Sequence, residues 1–400
     1  MTILSKRVTS AKPPMTREMT RLGNELARSG RSIVSLAQGE PDFDTPVHVR
    51  EAGKAAIDAG KTRYTDVPGT RELTAAIIRK FERDNGLAFQ PGEITIGVGS
   101  KQVLYNALQA TIDAGDEVVV AVPAWVSYTE MVRLAEGVPV IVRCPASSGF
   151  KITPAQLEAA ITPRTKWLML NSPSNPSGAE YTAAELRALA AVLARHPHVW
   201  FMSDDIYEKI RYGAGPFATM AKVVPEMASR CLTINGVSKA FAMTGWRCGY
   251  GAGPAELIRG INLVQGQSVS HTSSVSQAAA IAALDGPMDF LGPFVEAYRR
   301  RRDLVVKAMH AIEGVECSVP DGAFYVFPGC TRLLGRKTPK GKVIATDLDL
   351  CMYFLEEAGV STVPGSAFEL PGHFRISYAA SDAELAEGMK RLTVAIGALR

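Results

Sequence analysis

From about residue 93 to 253 the chain alternates short apolar runs with stretches of helical period. Residues 93–97, 117–123, 138–142, 166–170, 199–203 and 231–235 are short, mostly apolar runs bounded by turn-forming residues, which predicts strands. Between them, 102–113 carries Val103, Leu104, Ala107 and Leu108 on one helical face, 125–136 repeats the pattern, and 182–196 opens with Thr182-Ala-Ala-Glu185, a capping box. Strands that alternate with helices predict an α/β fold with a mainly parallel central sheet covered by helices on both faces. In such sheets ligands gather at the carboxyl ends of the strands.

The two ends of the chain differ from this middle. Residues 1–46 hold helical and loop patterns before Pro46, and 288–313 reads as a long polar helix containing Arg299-Arg300-Arg301-Arg302. Strands at 323–327 and 374–378 then alternate with helices. These patterns predict a large domain over 47–295 and a smaller α/β domain built from 1–46 and 296–400. The basic run is expected to be a solvated helix face.

Four hundred residues exceed one simple core, which agrees with this division. Basic and acidic residues number 44 and 40, a balance without the basic surface that nucleic acid requires. The six cysteines are scattered without a C-x-x-C pair, which speaks against zinc and disulfides and for a reducing compartment. With no run long enough to span a membrane and no secretory signal at the N-terminus, the expectation is a cytoplasmic protein.

The strand ends carry the chemistry. After 93–97 come Gly97-Val98-Gly99-Ser100-Lys101 at a helix start, where exposed N–H groups and the helix dipole favour an anion. Gln102 stands where a dinucleotide fingerprint has its third glycine. After 117–123 comes Trp125, a plane able to stack on a heteroaromatic ring or to sit in the core. Residues 171–178, Asn-Ser-Pro-Ser-Asn-Pro-Ser-Gly, fix a loop that presents the Asn175 amide. Asp204-Asp205 follows the strand at 199–203, three residues before Tyr207. A buried carboxylate needs a partner such as a protonated pyridine nitrogen, and either acid of the pair can supply it. Arg375 lies inside a strand pattern, where a guanidinium calls for an anion and suits a carboxylate. Finally, Lys239 lies in a charge-poor run with Arg247 eight residues later. A partly desolvated amine is a nucleophile toward aldehydes, and the arginine suits a phosphate. Each feature taken alone also fits a turn, a cap, a core aromatic or an ordinary ion pair. Together they are the parts of a site that holds pyridoxal 5'-phosphate and an amino acid.

At this point the chain resembles the class I, fold-type I pyridoxal-phosphate-dependent aminotransferases, and within them a bacterial aspartate aminotransferase branch. The resemblance rests on Gln38-Gly-Glu-Pro-Asp-Phe-Asp-Thr-Pro46, Lys61-Thr-Arg-Tyr64, Gly99-Ser-Lys-Gln102, Pro123-Ala-Trp-Val-Ser-Tyr128, 171–178, Asp204-Asp-Ile-Tyr207, Ser238-Lys239 to Arg247, and Phe374-Arg-Ile-Ser-Tyr378. It implies that Lys239 carries the cofactor aldehyde and shuttles a proton, and that Asp204 pairs with the ring nitrogen. It further implies Tyr207 and Asn175 at the ring's phenolic oxygen, and Trp125 on the ring face. Gly99, Ser100, Lys101 and Arg247 hold the phosphate, joined by Tyr64 across a homodimer interface. Arg375 and the Gly39 backbone bind the substrate α-carboxylate, while Lys101 and Thr16 read a distal one. The implied activity is ping-pong transamination of aspartate or glutamate. Other donors, a β-lyase reaction on the same fold and a catalytically silent relative are the competing readings. Gln38 and His271 depart from the family pattern, and His271 is expected near the partner's pocket.

Overall fold

The computed structural model describes residues 3–400. Its central sheet runs through β1 (Ile94–Gly97), β2 (Glu117–Val122), β3 (Val138–Arg143), β4 (Thr165–Asn171), β5 (Trp200–Asp204), β6 (Cys231–Gly236) and β7 (Gly249–Ala252), in the spatial order β1-β7-β6-β5-β4-β2-β3. β3, β2, β4, β5 and β6 pair in parallel, whereas β7 is antiparallel to both of its neighbours.

Strand alternation sorts the side chains onto two faces. Val118, Val120 and Val122 pack with Val103, Leu104 and Leu108 of the helix Ser100–Thr111. Val119, Leu168 and Phe201 face the other way, against Leu186, Leu189 and Leu193 of the helix Ala183–Leu193. Thr182 caps that helix as anticipated: its hydroxyl accepts from Glu185 N at 3.2 Å, and the Glu185 carboxylate accepts from Thr182 N at 2.8 Å.

A third core draws on both ends of the chain. Met19, Val34 and Leu36 join Tyr298, Val305, Phe324, Phe354, Ile376 and Leu385, under the helices Leu291–His310 and Asp382–Gly397. Val34–Ser35 pairs with Val360–Ser361, and Phe374–Ser377 lies between Tyr325–Val326 and Val363–Pro364. This core also takes Ile206 and Tyr207 from just beyond β5, so the carboxyl ends of the central strands meet the third core at a seam.

Two sequence expectations need correction. β7, Gly-Tyr-Gly-Ala, was not anticipated because its small residues give no apolar pattern. Gly249 packs so closely on the start of the Ser100–Thr111 helix that a side chain there would collide with the Ser100 backbone nitrogen. The basic run is not wholly solvated either. Arg301 is buried and bonds Asp42 at 2.9 Å and Asp382 at 2.8 Å, tying its helix to an N-terminal loop and to the last helix. Among the described residues no helix is long and apolar enough to cross a membrane.

Candidate active site

A cleft of about 790 Å³ opens along the seam. Thr16, Gly39, Ser100, Lys101, Trp125, Asn175, Asp204, Tyr207, Lys239, Arg247 and Arg375 all line it. The parallel register explains much of this convergence. Asn171 pairs with Asp204 and Asp204 with Ile234, so three strands end side by side.

Asp204 and Asp205 are adjacent on an extended chain and therefore point apart. Asp204 faces the cleft, where its Oδ2 accepts from the Tyr128 hydroxyl at 2.5 Å. Burial pushes Asp204 up to about 6, against the opposing effects of Tyr128, the Ile206 N–H and Lys239. Asp205 turns to the far side; one oxygen accepts from Ser203 Oγ at 2.6 Å and the other has no partner. The residue pattern alone fits either acid, and the resemblance to the family chooses Asp204. The fold puts Asp204 in the cleft.

Lys239 donates to the Gly39 carbonyl at 2.6 Å. Burial lowers its amine to about 8; Arg375 and Arg247 push the same way, Glu40 and Asp204 the other. A lysine in this state reaches its neutral, nucleophilic form near neutral pH. Tyr207 meets the Tyr325 hydroxyl at 2.9 Å, with burial holding the phenol well above its usual range.

Arg375 is buried in the strand Phe374–Ser377. Nη1 donates to Asn175 Oδ1 at 2.9 Å, Nη2 donates to the Ala37 carbonyl, and the planar group lies 4.5 Å from the Tyr325 ring centre. Its Nε is left without a partner. A buried guanidinium on the cleft wall with one N–H unpartnered suits a carboxylate.

At the other wall, Gly99 has φ +81° and precedes the helix Ser100–Thr111. A Cβ there would come within 2.9 Å of Arg247 Cζ, so glycine is what lets the guanidinium lie against the helix start. Arg247 itself sits at φ +53° and donates to Thr244 O at 2.8 Å and Val98 O at 3.3 Å. Gln102, at the position of the missing glycine, accepts from Val98 N at 2.6 Å and closes the loop. The backbone and one guanidinium thus converge where a helix dipole favours an anion. Lys101 holds its ammonium 4.6 Å from the Trp125 ring centre. Burial lowers it to about 8, with Arg17 and Arg247 adding to the effect.

Tyr64 and His271, both expected at a partner's site, lie together outside this cleft. Tyr64 is 91% exposed and its ring packs edge-on against His271. Neither residue lines this chain's cleft. His271 accepts from Thr65 N at 3.2 Å through Nε2, and its Nδ1 lies 2.7 Å from Thr272 O. Sequence reasoning assigned no role to Tyr128, Asn171, Tyr325 or Arg17. Asn171 donates to the Asp204 carbonyl at 2.7 Å and accepts from Asn175 N at 2.8 Å, so it braces both neighbours. The only sequence signal for Tyr128 and Asn171 was their place within the runs at 123–128 and 171–178.

A central sheet covered by helices on both faces and joined to a third core, with a lysine, a carboxylate and an arginine at the seam, defines a fold-type I transferase. The family model described as aminotransferase class I and II matches residues 31–392, and the chain belongs to that family. It is similar to an aspartate aminotransferase of Rhizobium meliloti (strain 1021), 54% identical over 94% of this chain and 93% of that protein. An aspartate/prephenate aminotransferase of Cereibacter sphaeroides is 52% identical over 98% of both chains. Among solved structures, the Rhizobium meliloti aspartate aminotransferase superposes with a TM-score of 0.97 at 52% identity over the full length of both chains. Aspartate aminotransferase from Thermus thermophilus with maleate gives 0.92 at 42% identity, over 99% of this chain and 100% of that one.

Proposed function

We propose that the chain is a pyridoxal-phosphate-dependent aminotransferase for dicarboxylic amino acids, exchanging an amino group between aspartate or glutamate and a 2-oxo acid in ping-pong fashion. The observation that carries the reading is Lys239, an amine lowered to about 8 in the same cleft as the buried, incompletely partnered Arg375.

The residues present fit the cofactor. Asp204 is an acid in the cleft that burial raises to about 6, and a protonated ring nitrogen beside it would favour its carboxylate form. Arg247 with the N–H groups of Gly99, Ser100 and Lys101 suits a phosphate, Trp125 offers a stacking plane, and Tyr207 and Asn175 suit the ring's phenolic oxygen. When bound, the cofactor supplies an aldehyde that takes up the amino group and a ring that withdraws electrons from the substrate α-carbon. The protein does the rest. Arg375, with Asn175 and the Gly39 backbone, orients the α-carboxylate. Lys239 Nζ, which faces the Gly39 carbonyl in the cleft, would carry the proton taken from the substrate α-carbon. Asp204 keeps the ring nitrogen protonated while this happens, and Tyr128 holds Asp204.

Lys101 and Thr16 read the distal carboxylate in this proposal. The phosphate requires only the Lys101 backbone, and the ammonium stands over Trp125 beside a second cation, Arg17. The Thermus thermophilus relative was solved with maleate, a dicarboxylate. A charge-assisted bond of roughly 1.5–3 kcal/mol corresponds to about one to two decades in kcat/KM. Lys101→Ala is therefore expected to lower kcat/KM for aspartate by about 10- to 100-fold while alanine and phenylalanine change little. An equal loss for every donor in such a panel would rule the assignment out.

The lowered Lys239 pKa sets a pH dependence. Because only the neutral amine attacks an aldehyde, the rate at which cofactor-free protein combines with pyridoxal phosphate should rise about tenfold per pH unit below 8 and level off above it. A lysine with its ordinary pKa of about 10.4 would keep rising through pH 9. Stopped-flow absorbance separates the two. A homodimer in which the partner subunit's Tyr64 joins the phosphate is part of the proposal, supported by the outward, 91% exposed Tyr64 of this chain. Six unpaired cysteines support a cytoplasmic location.

A further inference from the structure

Asp204 and Tyr207 are separated by a turn that belongs neither to β5 nor to a helix. Its own backbone bonds are few: Asp205 N donates to Ile234 O at 2.9 Å, Glu208 N to Asp205 O at 2.9 Å, and Ile210 N to Tyr207 O at 2.8 Å. Beneath the turn lies a closed polar ring. Lys80, at the end of the helix Arg71–Lys80, forms an ion pair with Glu208 and donates to Asn85 Oδ1 at 2.7 Å. Asn85 Nδ2 donates to Glu208 Oε2 at 2.8 Å. All three side chains are buried, Lys80 at 1% exposure. The π-helical segment Phe81–Asn85 brings Asn85 round, and Gly86 follows at φ +60°. Next to it Lys209 pairs with Asp84 at 2.8 Å, so two consecutive turn residues are pinned to the same distant segment.

A buried ion pair adds little net stability over apolar side chains of similar volume, because desolvation offsets the attraction. What it does impose is one geometry. Resting on the reading of the site given above, we propose that Lys80, Asn85 and Glu208 are positioning residues: they touch neither substrate nor cofactor, and they set the rate of transamination by fixing the turn that follows Asp204 and carries Tyr207. The orientation of Tyr207 toward the cleft depends on that turn, which also leaves β5 directly at Asp204, and displacements near 1 Å in such groups cost on the order of 10²-fold.

The test uses the double variant Lys80→Met/Glu208→Leu, which fills the space without stranding a charge. It is compared with Lys80→Arg and with Arg164→Gln. The latter breaks the Glu117–Arg164 pair at the amino ends of β2 and β4, away from the cleft. The expected result is a folded double variant whose kcat falls roughly 10- to 100-fold with the donor KM little changed. The pH midpoint of the bound cofactor's visible absorbance should move at the same time, since Tyr207 and Asp204 face the ring. Lys80→Arg should keep most of the activity and the wild-type midpoint, and Arg164→Gln should change stability alone. A double variant with the wild-type midpoint and kcat, or one whose losses Arg164→Gln reproduces, would overturn the proposal. The wild-type titration by itself tests the reading of the site, and the difference between wild type and variant tests the polar ring, so the two fail separately.

Discussion

Lys239→Ala is expected to abolish transamination while leaving pyridoxal phosphate bound. The amine is the one group in the cleft that combines a depressed pKa with a place between Asp204, Arg375 and the Gly39 carbonyl. Its loss removes both the covalent hold on the aldehyde and the proton carrier, and a positioned proton-transfer group alone contributes up to about 10⁴-fold. Arg247, the Gly99–Lys101 backbone and Asp204 remain to hold the phosphate and the ring. The variant should therefore bind the cofactor reversibly and show less than roughly 10⁻⁴ of wild-type turnover. Retention of more than a few per cent of activity would place the reactive amine elsewhere.

Asp204→Asn should produce the second-largest loss. Asp204 faces the cleft and Asp205 does not, although the two are neighbours with comparable burial. An amide cannot hold a proton on the ring nitrogen, and removing one preorganised electrostatic partner costs about 10²–10³ in kcat. Asp205→Asn can keep the Ser203 contact and lies outside the cleft, so its kcat should stay within about tenfold of wild type. Steady-state kinetics on both variants, with circular dichroism to confirm folding, checks the ranking. A larger loss for Asp205→Asn would reverse the assignment.

The contrast between those two acids shows what sequence reveals and what it hides. The valine run of β2 and the capping box at Thr182 announce themselves because burial and capping act through local residues. β7 does not, since its glycines are chosen for close approach to a helix distant in sequence. Candidate residues at strand ends, such as Lys239 and Asp204, stand out as charges where apolar residues are expected. The groups that aim them do not stand out. Tyr128, Asn171 and Tyr325 acquire their contacts only when β4, β5 and the Tyr325–Val326 strand come together, and Lys80 reaches Glu208 across 128 positions of chain. Arg301 makes the same point from the other side: a run of four arginines reads as solvent-facing until Asp42 and Asp382 are brought to it.

The central claim is that Lys239 is the residue that carries the cofactor. The purified protein, loaded with pyridoxal phosphate, reduced with borohydride and digested, should yield a single phosphopyridoxyl peptide spanning Asn235–Arg247, with the modification on Lys239. Labelling of Lys101 or any other lysine in its place, or no labelled peptide at all, would contradict the account.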